Sequence, residues 1–141
     1  MRKRSQAREI SIQVLYELDV RGSEVLGEMK DLIADMIKDP EIRTFSQELV
    51  KGTWENRPEI DRHIEEVARN WEISRMAIID RNVLRQATYE LIFREDIPPL
   101  VSINEAIEIA KKYSTQNSGA FINGILDNIR LRWAPEGKQK K

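Results

Sequence analysis

Apolar residues recur along this chain every three or four positions, which is the spacing of one face of an α-helix. We find no stretch in which apolar and polar residues alternate convincingly, as they do in a half-buried β-strand. The pattern therefore predicts an all-α fold with about seven helices. The predicted helices cover roughly residues 4–20, 24–37, 40–55, 58–68, 80–97, 102–113 and 120–133.

Several residues in the sequence are typical of helix ends. Gly22 is predicted to end the first helix, and Asp39 to cap a helix that has Pro40 in its first position, where the missing N–H of proline is tolerated. Asp80 is predicted to cap the fifth helix. The segment 102–105, Ser-Ile-Asn-Glu, has the spacing of a capping box and is predicted to open the sixth helix.

Two glycines lie inside apolar helical stripes, where glycine is otherwise unfavourable. Gly52 lies between Val50 and Trp54, and Gly124 lies between Phe121 and Ile125. We interpret both glycines as positions where another helix approaches closely.

The positive charges are concentrated at the two ends of the chain. The first eight residues carry four cations and no acid, residues 130–141 carry five cations and one acid, and the net charge is −1, so residues 9–129 carry −9. A short basic segment on an acidic body suits a polyanion that is held at one place. The candidate contacts in this N-terminal arm are Arg2, Lys3, Arg4 and Arg8.

A second candidate binding segment is the junction at residues 111–121, which joins the last two predicted helices. It combines cations, aromatic rings and amide side chains beside a helix N-terminus, a composition that favours phosphate binding and base stacking. The candidate contacts are Lys112, Asn117 and Phe121. A structural interpretation stays open, because Phe121 also fits the apolar stripe of the last helix.

The sequence offers little for catalysis. It contains no cysteine and one histidine, His63, which lies in a charged stretch, so neither a metal site nor a nucleophilic triad is expected. Glycine-rich phosphate loops are also missing. We therefore expect a protein that is not an enzyme and needs no cofactor. No apolar stretch is long enough to span a bilayer, and the composition favours a cytoplasmic protein without membrane contact.

The order of several motifs resembles the NusB family of bacterial transcription antitermination factors. The resemblance spans residues 7–127. It is carried by Ala7-Arg8-Glu9, Gln13-Val14-Leu15-Tyr16, Phe45, Leu49-Val50-Lys51-Gly52, Ile60-Asp61, Trp71, Arg75, Ile79-Asp80-Arg81, Val83-Leu84-Arg85-Gln86-Ala87, Tyr89-Glu90-Leu91, Ile97-Pro98, Val101, Ile103-Asn104-Glu105-Ala106-Ile107-Glu108-Ile109-Ala110-Lys111 and Phe121-Ile122-Asn123-Gly124-Ile125-Leu126-Asp127.

The resemblance implies one helical domain made of two three-helix sub-bundles. In this chain the sub-bundles correspond roughly to residues 4–56 and 58–133, followed by a basic tail at 134–141. It also implies that the arginine-rich arm and Phe121 face RNA. Tyr16 and Asp80 match positions on the partner or RNA face.

The implied function is non-catalytic binding of boxA-type RNA together with NusE, a small-subunit ribosomal protein, within an RNA polymerase antitermination complex. Single-stranded RNA is expected, because an A-form duplex hides its base edges in a deep groove. Two alternatives stay open. One is an accessory domain that docks ribosomal RNA for a methyltransferase, and the other is a helical adaptor or homodimer that does not bind RNA.

Overall fold

A computed structural model of the chain describes residues 3–134. This range contains no β-strand, and its seven α-helices confirm the predicted all-α fold. Arg2 and the residues from 135 onward, which include most of the predicted basic tail, lie outside the described residues. The helices are α1 (Lys3–Arg21), α2 (Met29–Met36), α3 (Pro40–Glu55), α4 (Arg57–Val67), α5 (Ile78–Phe93), α6 (Pro99–Tyr113) and α7 (Ser118–Trp133), with 3-10 turns at Ser23–Gly27 and Ile73–Arg75.

Helix α5 lies at the centre of the molecule and packs against α1, α3, α4, α6 and α7. Its apolar residues, among them Leu84 and Leu91, are fully buried in one hydrophobic core to which all seven helices contribute. Several polar residues of α5 are buried as well, including Arg85, Gln86 and Glu90. Because buried polar groups need hydrogen-bond partners, α5 also organises the polar contacts between the helices.

Two predicted helix ends are confirmed. Gly22 has a φ of +100°, a backbone conformation that favours glycine, and its N–H donates to the carbonyl of Leu18 at 2.8 Å. Asp39 caps α3 by accepting a hydrogen bond from the N–H of Glu41 at 3.0 Å, and Pro40 occupies the first helical position.

The predicted caps of the fifth and sixth helices are wrong. Helix α5 begins at Ile78, so Asp80 lies within its first turn. Helix α6 begins at Pro99, because the fixed φ of proline suits the first turn of a helix, and the predicted capping box therefore lies inside the helix. Ser102 instead donates to Glu90 at 2.8 Å, and Glu105 accepts a hydrogen bond from Ser5.

The two glycines of the helical stripes differ in their surroundings. The ring of Tyr89 packs directly against Gly52, and a Cβ atom at this position would lie 2.1 Å from the ring, so the predicted close approach is confirmed. Gly124 is exposed, and a Cβ atom there would meet no other atom within 4 Å, so the same interpretation is wrong for this glycine.

The second predicted helix is shorter than expected. Its first part forms the 3-10 turn that ends at Gly27, and α2 begins only at Met29. None of the helices between residues 3 and 134 has the length and apolar composition needed to cross a membrane.

Candidate functional site

The first described cations of the N-terminal arm are exposed but paired with acids. The amine of Lys3 lies 3.0 Å from the carboxylate of Asp39 at the start of α3. Arg4 lies 3.7 Å from Asp96, and its guanidinium stacks over the ring of Phe45 at 4.2 Å. Because breaking an exposed ion pair costs little free energy, both cations remain available to a stronger anion.

Arg8 is placed differently from its neighbours in the arm. Its side chain is 3% exposed, and its guanidinium donates two hydrogen bonds to the carboxylate of Glu90, at 2.9 and 3.0 Å. Glu105 lies 3.5 Å away on the other side. The guanidinium therefore ties α1 to α5 and α6 inside the protein.

Glu9 connects α1 to the junction. Its carboxylate lies 2.9 Å from the amine of Lys112 and also accepts a hydrogen bond from the hydroxyl of Tyr113. Burial alone would raise the pKa of Glu9, but the hydrogen bonds from Tyr113 and Lys112 lower it below its ordinary value. The hydrogen bond to Glu9 in turn raises the pKa of Lys112, so this contact is an ion pair at neutral pH.

Asn117, Phe121 and Asp80 line one cavity of about 340 Å³, together with Trp71 and Arg75. Phe121 is half-buried and packs against the core, while its ring also contacts that of Trp71, with centroids 5.5 Å apart. The ring of Phe121 therefore packs against the core and also forms part of the cavity wall.

Asp80 holds the loop before α7 in place. Its Oδ2 accepts a hydrogen bond from the hydroxyl of Ser118 at 3.2 Å, while its Oδ1 is buried without a hydrogen-bond partner. The hydroxyl of Ser118 also lies 3.0 Å from that of Thr115. Asp80 therefore connects α5 to the loop that carries Asn117.

Tyr16 lies on α1 beside a neighbouring cavity of about 290 Å³. The cavity is mostly apolar, with Ile79 and Tyr113 in its wall and the carboxylates of Glu9 and Glu17 at its margin. Ile79 immediately precedes Asp80, so the cavity of Tyr16 and the cavity of Phe121 lie on either side of the start of α5. This surface suits a partner with an apolar side chain next to a cation.

Sequence reasoning missed three residues of this surface: Glu9, Trp71 and Arg75. Glu9 contacts Lys112, which is 103 residues away in the chain, so no local pattern could have paired them. Trp71 and Arg75 lie between α4 and α5, where no helical period indicates which side chains are exposed. Both residues belong to the family resemblance, but no motif gave them a role, and the sequence otherwise offers only an aromatic residue and a cation four positions apart.

Residues 3–134 contain no cluster of three or more histidine, cysteine, aspartate or glutamate side chains able to hold a metal ion. The ring of His63 packs against that of Trp133, with centroids 4.4 Å apart.

The comparison with known families decides what kind of protein this is. The sequence pattern of the NusB family matches residues 5–130. The chain belongs to the NusB family. It is 48% identical to the transcription antitermination protein NusB of Desulforapulum autotrophicum over 134 residues, which are 93% of each chain.

Solved structures agree with this assignment. NusB of T. maritima matches all of this chain and 99% of its own with a TM-score of 0.86 and 35% identity. A structure of the antitermination factors NusB and NusE in complex with dsRNA matches 94% of this chain and 99% of the solved chain, with a TM-score of 0.85 and 30% identity.

Proposed function

We propose that this NusB-family chain is a non-catalytic antitermination factor that binds boxA-type RNA together with NusE. The observation that carries the proposal is its match, over 94% of its length, to the NusB chain of the NusB–NusE complex with dsRNA. From this role in transcription we also infer assembly on RNA polymerase and a cytoplasmic location.

The proposed RNA surface contains residues of the junction and of the arm. Lys112 and Asn117 contribute an exposed cation and an exposed amide, and Phe121 contributes a half-buried ring, all within residues 112–121. Lys3 and Arg4 contribute cations held in weak exposed pairs. Arg8 supports this surface from inside, because it anchors the helix that carries the arm, and Arg2 belongs to the proposed site although it lies outside the described residues.

The proposed surface for NusE contains Tyr16 and Asp80. The apolar cavity beside Tyr16 and its margin of carboxylates favour a protein segment with apolar and basic side chains. Asp80 adds a further carboxylate at the start of α5 and contacts the junction through Ser118. The two proposed surfaces are therefore adjacent.

A titration tests the proposal directly. Single-stranded and double-stranded boxA-like RNA, each with a scrambled control, are titrated with the chain in the presence and absence of NusE. We expect tighter binding of the boxA-like sequence and a further gain with NusE. Double-stranded RNA is included because a solved relative is in complex with dsRNA, whereas the chemistry of base readout favours single strands.

The other outcomes separate the alternatives. Binding of any RNA without sequence preference or a NusE effect would contradict the proposal and favour the accessory domain that docks ribosomal RNA. The absence of binding at moderate salt would favour a helical adaptor. Light scattering on the same samples measures whether a homodimer forms.

Glu9→Gln should tighten RNA binding, because it removes the carboxylate that holds Lys112 at 2.9 Å. The RNA affinity is expected to rise about two- to fivefold at low salt, which corresponds to the free energy of one exposed ion pair. The log–log salt slope should steepen by about 0.7, since one more cation becomes available to the phosphates of a single strand. Fluorescence anisotropy at several salt concentrations measures both quantities.

Glu28→Gln is the matched control. Glu28 pairs with Arg21 at 2.6 Å, and Arg21 lies about 18 Å along α1 from Glu9 at a rise of about 1.5 Å per residue. If Glu9→Gln and Glu28→Gln had equal Kd values, the change in overall charge would explain the effect on RNA binding. The release of Lys112 from Glu9 would then contribute nothing.

A further inference from the structure

Trp71 exposes an unusually large part of its ring. It is 58% exposed, whereas Trp54 and Trp133 pack against the core. Its backbone N–H donates to the carbonyl of Ala68 at 3.0 Å, so a turn after α4 fixes the main chain that carries it. Tryptophan is highly buried on average, so this exposed indole is a feature that folding alone does not explain.

The rings of Trp71 and Phe121 form an aromatic corner. Their centroids are 5.5 Å apart and their planes are inclined by 71°, so the rings stand nearly perpendicular to each other. Phe121 packs against the core, so the position of its ring is fixed. The cavity of about 340 Å³ opens beside this corner, so a planar group that stacks on one ring meets the other ring with its edge.

The polar groups around the aromatic corner have the chemistry of a nucleotide site. Arg75 is 82% exposed, and its contact within the described chain is a weak pair with Glu72 at 3.5 Å, so its guanidinium is available for a phosphate. Asn117 is exposed and makes no capping hydrogen bond, so its amide is available for a base edge. Asp80 also lines the cavity, and a carboxylate there disfavours a phosphate beside it, whereas Arg75 favours one.

We propose that the aromatic corner binds one unpaired base of the RNA, with Trp71 as a stacking surface, Asn117 at the base edge and Arg75 at the phosphate. This inference rests on the RNA binding proposed above and assigns Trp71 and Arg75 to that site. A base is favoured over an apolar side chain of a protein partner, because the corner combines flat rings with an amide and a cation.

Two substitutions of Trp71 test the stacking. The probe is a short single-stranded boxA-like RNA, titrated with the full chain in the presence and absence of NusE. Trp71→Leu should raise the Kd about 5- to 150-fold, the effect of losing one stacked base. Trp71→Phe keeps an aromatic ring and should therefore lose less RNA affinity than Trp71→Leu. Leu131→Ala is the matched control, since Leu131 is another large apolar residue, 57% exposed, and its replacement should leave the Kd unchanged.

The salt dependence separates stacking from charge. Trp71→Leu should leave the log–log salt slope unchanged, because it removes no cation. Arg75→Gln should make the slope shallower by about 0.7, the contribution of one phosphate contact to a single strand. A shallower slope in Trp71→Leu, or an unchanged slope in Arg75→Gln, would contradict the roles assigned to these residues.

Fluorescence gives a test that does not depend on a change in affinity. RNA should quench the tryptophan emission of the parent chain, and this quenching should be lost in Trp71→Phe, which retains Trp54 and Trp133. Equal quenching in the two chains, or equal Kd values for the parent and Trp71→Leu, would overturn the inference. The inference would also be overturned if Trp71→Leu lost NusE binding but kept RNA binding, because the corner would then contact protein. If the parent binds none of the RNAs under any condition, the proposed function itself fails.

Discussion

Arg8→Ala should lower the free energy of unfolding by about 3–5 kcal/mol, because it removes one partner of a buried ion pair. Glu90 is as deeply buried as Arg8, and in the variant its carboxyl group would lose the guanidinium that now donates to both of its oxygens. For a domain of this size the melting temperature should fall by roughly 10–20 °C. Urea unfolding followed by far-UV circular dichroism measures the change.

Arg4→Ala is the matched control, since it removes the same charge one helical turn earlier. The pair of Arg4 with Asp96 is about half exposed on both sides, so its loss should change the free energy of unfolding by less than about 1 kcal/mol. The double variant Arg8→Met/Glu90→Met should recover part of the loss, because apolar residues can replace a buried ion pair.

One result would contradict this account of Arg8. If Arg8→Ala unfolds like Arg4→Ala but loses RNA binding, the guanidinium contacts RNA directly and its burial in the protein contributes little to stability.

Asp19→Ala should lower the free energy of unfolding by about 3 kcal/mol at neutral pH. The carboxylate of Asp19 accepts two hydrogen bonds from Arg81, at 2.7 and 2.8 Å, and one each from Asn82 at 2.9 Å and Arg85 at 3.1 Å. Without Asp19, Arg81 loses the acid with which it pairs, and Arg85 keeps only its pair with Asp61 at 2.9 Å. Thermal and urea unfolding at neutral pH measure the loss.

The effect of Asp19 should depend on pH. Burial alone would raise the pKa of Asp19, but the hydrogen bonds from Arg81 and Asn82 and the charge of Arg85 together lower it below its ordinary value of 3.8. A carboxyl with a lowered pKa stabilises the fold at pH values above its ordinary pKa, and this stabilisation is lost as the pH falls through the lower pKa of the folded state. The difference between the parent and Asp19→Ala should therefore shrink in acid.

Asp127→Ala is the matched control for this experiment. Asp127 is half exposed and pairs with Arg130 within one turn of α7, so its removal should cost less than about 1 kcal/mol. A pH-independent difference between the parent and Asp19→Ala would show that packing accounts for the effect and that the charge of Asp19 does not.

Local patterns in the sequence predicted the elements of this fold well. Apolar residues at helical spacing identify a helix and its buried face together, as Leu84 and Leu91 do in α5. The cap formed by Asp39 and Pro40 was also predicted, because both residues act within one turn. The start of α6 was missed because two local signals competed, and Pro98-Pro99 opened the helix before the capping box at 102–105.

The candidate site depends on contacts that local patterns do not contain. Arg8 was assigned to an exposed basic arm, but its partner Glu90 lies 82 residues away and is brought to it by the packing of α1 on α5. The sequence contains many acids, and nothing in their spacing indicates which of them reaches Arg8. Trp71 lies in a connecting segment without helical period, so its exposure is a property of the folded chain.

The polar contacts along the inner side of α1 have a consequence for affinity. Ser5 donates to Glu105, Arg8 to Glu90 and Ser11 to Gln86, so successive turns of α1 are bonded to α5 and α6. The first turn of the same helix carries Lys3 and Arg4, which are exposed and are thus preorganised on a rigid backbone. A ligand that meets these cations does not have to order the main chain, and association loses less conformational entropy than it would with an unfolded basic peptide of the same sequence.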